Sequence, residues 1–180
     1  MSYIHKFDIH VADYPFHEKL KDGILPILEN YPDIQKRSTN VKASHTEWNW
    51  QPQNIQIIKL KKYLLSELQK WKPHRMVDNT YPEFWFPNFW VNTYSKGDYA
   101  KNHSHYPFVY SIVYFLQSKW YYSPLIFTDS GKRVMPKEGR YVIFPAYVKH
   151  KVPKFRFNGK RITIAGNISE LYFSNPDRKK

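Results

Sequence analysis

Three of the eight histidines follow residue 90: His103, His105 and His150. The first two form His-x-His. On an extended strand, residues i and i+2 point to the same face, so two imidazoles can reach one ion. Imidazoles suit iron, zinc, copper and nickel. His150 follows Phe144-Pro145-Ala146-Tyr147-Val148-Lys149, which reads as a strand end and a turn, and it could return as a third ligand. Alone, this pattern equally describes partly buried, hydrogen-bonded histidines. Downstream, Arg161-Ile162-Thr163 places a guanidinium and a hydroxyl on one face. Together they make a fork for a carboxylate. An inward arginine in a barrel is costly unless it meets an anion, although an edge-strand surface residue would read the same way. Upstream, Asn92-Thr93-Tyr94 puts an amide and a phenol on one strand face, with Gly97 at a turn before His103.

These residues need a rigid support. From residue 84 onward, short runs of Trp, Tyr, Val, Ile and Phe alternate with Gly, Pro, Lys and Asn turns. Strands are expected at 85–94, 106–117, 123–128, 140–145, 150–157 and 160–168, the pattern of an all-β barrel or sandwich. The first half reads as helical and irregular. Apolar residues recur over His17–Tyr31, with Pro26 expected to kink or divide any helix. The clearest helix runs from Pro52 to Trp71, where Ile57, Leu60, Leu64, Leu68 and Trp71 form one stripe and Pro73 ends it. That stripe should cover one face of the β core. Residues 32–51 are polar and turn-rich and suit a substrate lid. The aromatic run Trp85–Trp90 suits core packing. One domain is expected: a helical and irregular support over 1–83, a jelly-roll core over 84–168, and a basic tail over 169–180.

The order Asn-x-Tyr, Gly, His-x-His, strand, Gly139, Phe-Pro, His, Val-x-Pro, Arg-x-Thr resembles the iron(II)/2-oxoglutarate-dependent oxygenases. Within them it is most similar to the prolyl-hydroxylase-like branch of phages and bacteria. The stretch from Thr39 to Trp48 also looks like the N-terminal part of the phage proteins. The resemblance implies a mainly β fold with N-terminal helices, built on a double-stranded β-helix (a cupin-like jelly roll). It implies that His103 and His150 bind Fe(II), that Arg161 and Thr163 hold the far carboxylate of 2-oxoglutarate, and that Tyr94 and Asn92 bond this cosubstrate. It further implies O2 as co-reactant and a hydroxylated substrate, with release of succinate and CO2. One position departs from the family pattern. The second ligand is usually Asp or Glu, and here it is His105. Asp98 and Asp129 are poor substitutes by their spacing. Either three histidines hold the metal, or His105 points away and leaves an open coordination position.

Composition bounds the alternatives. The chain has 180 residues, 42% hydrophobic and 18% aromatic, so extensive disorder is excluded. It has no cysteine, which excludes disulfides, thiolate metal sites and cysteine nucleophiles. No apolar run reaches the ~18 residues of a membrane span, and no secretory signal is visible. A cytoplasmic protein is the default, in the host cytoplasm if phage-encoded. The net charge is +13. Residues 1–90 carry 12 basic and 10 acidic side chains, and residues 91–180 carry 16 and 5. Such a field attracts anions, among them nucleic acid or an acidic peptide as substrate. Two other readings stay open. A cupin-type metalloprotein would share the barrel and both histidine motifs, but lacks its glutamate and gives Arg161 no task. A non-enzymatic basic jelly-roll binding protein would use the charge, with Tyr121, Tyr122, Tyr141 and Tyr147 on a nucleic-acid surface.

Overall fold

The computed structural model describes residues 7–31, 35–36, 39–71 and 80–174. In chain order the elements are β1 (His10–Asp13), α1 (His17–Glu29), β2 (Gln35–Lys36), β3 (Val41–Lys42), β4 (Ser44–His45), α2 (Ile55–Trp71), β5 (Thr80–Tyr94), β6 (Tyr99–His103), β7 (Tyr110–Gln117), β8 (Leu125–Phe127), β9 (Arg133–Val134), β10 (Arg140–Pro145), β11 (His150–Val152) and β12 (Arg161–Ser174). They form two sheets. The larger has the order β1-β10-β7-β12-β5-β4-β2, and the smaller β3-β6-β11-β8-β9. The pairings between these named strands are antiparallel.

The larger sheet is buried on both faces, which is why its strands read as nearly continuous apolar runs. Alternation still sorts the side chains. Ile112, Tyr114, Leu116, Tyr141, Ile143, Ile162 and Ile164 join Leu20, Ile24, Leu60, Leu64 and Leu68 of the helices in one core cluster. Phe115, Val142 and Phe144 face the other way and pack against Leu125, Phe127 and Val152 of the smaller sheet. The period that sends Ile162 and Ile164 toward the helices therefore sends Arg161 and Thr163 between the sheets. Val91 and Phe89 likewise face the helices, which leaves Trp90, Asn92 and Tyr94 inward.

The helix stripe expected from the sequence is the buried face of α2: Ile57, Leu60, Leu64 and Leu68. Its start is set by Asn54, not by Pro52. The Asn54 side-chain carbonyl accepts the backbone N–H of Gln56 at 2.8 Å, which satisfies an otherwise open helix end. Pro73 lies outside the described residues. Pro26 does not divide α1, which runs through it. Pro26 sits on the exposed side of the helix, where the lost N–H bond faces solvent.

Several boundaries differ from the sequence reading. The expected strand 106–117 begins at Tyr110, because residues 104–109 form a loop. Strand 123–128 shortens to Leu125–Phe127, and 150–157 to His150–Val152. β5 and β12 extend beyond their expected limits, to Thr80 and Ser174, because they pair with each other along nearly their whole length. Residues 169–174 are thus strand and not tail; residues 175–180 lie outside the described set. Six short strands were not expected: β1, β6 and β9, together with β2, β3 and β4 inside the supposed irregular stretch. The β core also recruits residues before 84, since β1 pairs with β10 and β4 with β5.

Candidate metal and cosubstrate site

His103 ends β6 and His150 begins β11, and the two are directly paired across the strands. Their rings lie 4.4 Å apart. His105 is not on the same strand as His103, as the i, i+2 argument supposed. It lies beyond the strand end, where its backbone N–H donates to the Ala146 carbonyl at 2.7 Å. That tie to the β10–β11 turn brings its ring inward. His105 Nε2 stands 3.3 Å from His150 Nε2. One ring nitrogen from each of the three histidines lies within 4.8 Å of the others. The alternative in which His105 points away is therefore not what the chain adopts.

Two of the rings have their tautomer set. His103 Nδ1 donates to the Lys101 carbonyl at 2.7 Å, and His150 Nδ1 donates to the Val148 carbonyl at 3.1 Å. A carbonyl only accepts, so each Nδ1 carries the proton and each Nε2 keeps its lone pair for a metal. Burial, reinforced by the neighbouring rings, pulls the His105 pKa down to about 3 and holds His150 well below its ordinary value. His103 is lowered by burial as well. All three are neutral donors at neutral pH.

No carboxylate joins this group among the described residues. Asp98 has a different task. Its carboxylate accepts the Ser95 N–H at 2.8 Å and closes the turn around Gly97, whose φ of +98° only glycine takes easily. Asp129 is exposed in a turn.

Arg161 and Thr163 open β12 opposite Tyr94 and Asn92, in register Arg161↔Tyr94 and Thr163↔Asn92. All four are buried, Arg161 to 1% exposure. They line one pocket between the sheets together with the three histidines. The guanidinium lies 4.8 Å from the Tyr94 ring centre and 5.1 Å from that of Phe115, in cation–π range. None of its Nε, Nη1 and Nη2 atoms has an acceptor in hydrogen-bonding geometry. Burial lowers its pKa, and the Tyr94 phenol opposes that only in part. A buried cation with open donors and no carboxylate beside it is costly as it stands, and an anion in the pocket would relieve it.

A second cleft adjoins the histidines, walled by Trp48, Trp90, Tyr106 and Phe108, with Asn88 and Asn167 between them. Trp90 donates from Nε1 to Asn92 Oδ1 at 3.2 Å, which joins the two hollows. Thr39 and Asn40 also line this cleft. The 32–51 stretch thus contributes to a wall, held by the pairing of β3 with β6 and of β4 with β5.

Asn167 was missed by sequence reasoning. It is buried, accepts from the Ser111 hydroxyl and donates to Asn88, and its amide supports the charged form of His105. An asparagine amid Ile162–Ile168 is a residue strands avoid, and that was the available signal. Of the aromatic run, Phe89 packs the core as expected, Trp90 lines the site and Trp85 is exposed. Of the tyrosines assigned to a nucleic-acid surface, Tyr122 and Tyr141 are buried; their rings fill cores, and only Tyr121 and Tyr147 face solvent.

Comparison with known proteins agrees with this geometry. Residues 128–167, which carry His150, Arg161 and Thr163, match a family model described as a putative 2OG-Fe(II) oxygenase. A search of curated proteins found no match. Among solved structures, a Pseudomonas putida prolyl-4-hydroxylase superposes with a TM-score of 0.70 at 14% identity, covering 92% of this chain and 94% of that one. The viral collagen prolyl hydroxylase of Paramecium bursaria Chlorella virus-1, solved with 2-oxoglutarate, gives 0.66 at 14% identity, covering 89% and 94%. HygX from Streptomyces hygroscopicus, solved with nickel and 2-oxoglutarate, gives 0.66 at 10% identity, covering 93% and 85%. The fold is the double-stranded β-helix. The matched segment is similar to the 2OG-Fe(II) oxygenases, and the fold is one the chain shares with prolyl hydroxylases, as the motif order implied.

Proposed function

We propose that the chain is an Fe(II)- and 2-oxoglutarate-dependent dioxygenase that hydroxylates a substrate held in the Trp48–Trp90 cleft. The observation that carries this reading is Arg161, whose buried guanidinium, with no carboxylate beside it, shares one pocket with three convergent histidines. In this reading His103, His105 and His150 hold the metal. Arg161 and Thr163 bind the far carboxylate of 2-oxoglutarate, and Tyr94 and Asn92 orient it. Trp48, Trp90 and Phe108 exclude water from the substrate side. Iron(II), when bound, supplies the oxygen activation that couples decarboxylation of 2-oxoglutarate, to succinate and CO2, with hydroxylation.

His105 alters the charge of that centre. Three neutral imidazoles leave a divalent metal with its full +2, which dianionic 2-oxoglutarate then cancels. An Asp or Glu ligand would make the same complex anionic. The all-histidine donor set is also the observation that favours a cupin-type metalloprotein, but that reading leaves Arg161 without an anion.

The test is anaerobic titration of the metal-free protein with Fe(II) and 2-oxoglutarate, watching for a visible metal-to-ligand charge-transfer band. The band should require both components. Arg161→Met should weaken 2-oxoglutarate binding by about 10–100-fold, the range of a charged hydrogen bond of about 1.5–3 kcal/mol. The same variant should melt no lower than the parent without ligand, because it removes an unpaired buried charge. Metal binding without a band would favour the cupin reading and sink this one.

A further inference from the structure

The outer face of the smaller sheet carries cations on the same strands that present the metal histidines inward. Alternation makes this explicit: in β11, His150 and Val152 are buried and Lys151 is exposed between them. In β6, Ala100 is buried and Lys101 exposed, and a register irregularity against β11, instead of alternation, turns His103 inward from the same strand. Lys151 is in register with Ile126 of β8, and Ile126 with Arg133 of β9. A groove runs over this face, bordered by Lys101, Lys151 and Lys154 and floored by Tyr99, Ile126 and Pro153. Among the described residues no carboxylate forms an ion pair with Lys101, Arg133, Lys151 or Lys154. The acids nearest in sequence are otherwise placed: Asp98 is buried in its turn, and Asp129 belongs to the β8–β9 loop.

We infer that this face binds single-stranded nucleic acid, with phosphates on the lysines and Arg133 and a base against Tyr99. The five strands of this sheet span roughly 19 Å at the usual strand spacing. That approaches the shortest stretch a single-strand-binding domain covers, about four nucleotides. Three of the four cations are lysines. Lysine pairs with a phosphate as a point charge, without demanding one fixed geometry, which suits a sequence-tolerant contact to a phosphate chain. The cations are spread over β6, β11 and β9, with Lys154 just past the end of β11, and this row across the strands matches a line charge. The groove is open to solvent along its length and does not enclose a side chain as a peptide anchor pocket does. The inference rests on the surface and not on the proposed oxygenase activity.

The experiment measures binding of fluorescein-labelled oligothymidylate to the full chain by anisotropy. Four phosphate contacts predict a loss of about fifty-fold in affinity between 50 and 200 mM salt, from a slope near 0.7 per contact on a single strand. The triple variant R133E/K151E/K154E should weaken binding by at least tenfold and lower the salt slope by about 2. K59E/K62E, which changes two exposed lysines on α2, should leave binding within twofold of the parent and so separate this face from net charge. Absence of binding at low salt overturns the inference. So does binding that survives the triple substitution, or an oligoglutamate that competes as well as the oligonucleotide. The charge-transfer band, read on the same triple variant, separates the two proposals: a band without nucleic-acid binding removes only this one.

Discussion

His105 shows how much one residue decides in this molecule. It replaces the carboxylate expected at its position and takes part through a turn, tied by its backbone to Ala146. Its imidazole, pushed to about 3, and those of His103 and His150, also lowered, have a measurable consequence. In the unfolded chain these groups titrate near pH 6.5, about the ordinary histidine value. As the pH falls below about 6.5, the unfolded chain gains protons there that the folded chain refuses. The stability from neutral histidines is therefore complete above about pH 6.5 and is lost progressively as the pH falls toward 3. The urea midpoint of the metal-free protein should drop between pH 7 and pH 5. His105→Gln should make that drop shallower. An equal slope in parent and variant would show that His105 titrates normally.

At the scale of elements, the site depends on one long strand pairing and on the helix packed behind it. β12 and β5 pair over nearly their whole length, and the long pairing holds Arg161 opposite Tyr94 and Thr163 opposite Asn92. α2 covers the other face of those strands. Leu64 is fully buried there. Truncation to alanine should lower unfolding stability by about 2–5 kcal/mol, the usual cost of such a cavity. Affinity for 2-oxoglutarate, measured on the folded protein, should change less than threefold, because the cavity opens on the helix side of the sheet. Chemical denaturation and the iron titration, run on one preparation, check both halves. A large loss of affinity at unchanged stability would mean that α2 shapes the pocket directly.

For the whole molecule, the two faces of the smaller sheet divide the work. The inner face gathers neutral histidines toward an interior that is short of negative charge; the outer face is basic and unpaired. Filling the interior should be felt globally. With Mn(II) already saturating, 2-oxoglutarate at about a hundredfold over its dissociation constant should stabilise the fold by a further ~2.7 kcal/mol. For a chain of this size that is a rise of about 5–10 °C in melting temperature. The rise should need both components and should shrink in Arg161→Met. No helix among the described residues is long and apolar enough to cross a membrane.

The sequence by itself determined what period and residue type can encode. The stripe of α2, the inward facing of Arg161 with Thr163 and the class of fold were legible because alternation and helical spacing are local properties of a chain. The two motif histidines and the late arginine were legible because few residue types do their chemistry. Tertiary structure alone decided the rest. The direction of His105 depends on a bond to Ala146, far along the chain. The short strands β1 to β4 exist only because longer neighbours offer them open edges; too few residues are involved for any periodicity to announce them. Asn167 acquires its place through Ser111 and Asn88, and the separation of buried Tyr122 and Tyr141 from exposed Tyr121 follows from which sheet face each meets. The same strands carry the clustered histidines inward and lysines outward, and a one-dimensional charge count cannot show that, because it sums both faces of a sheet together.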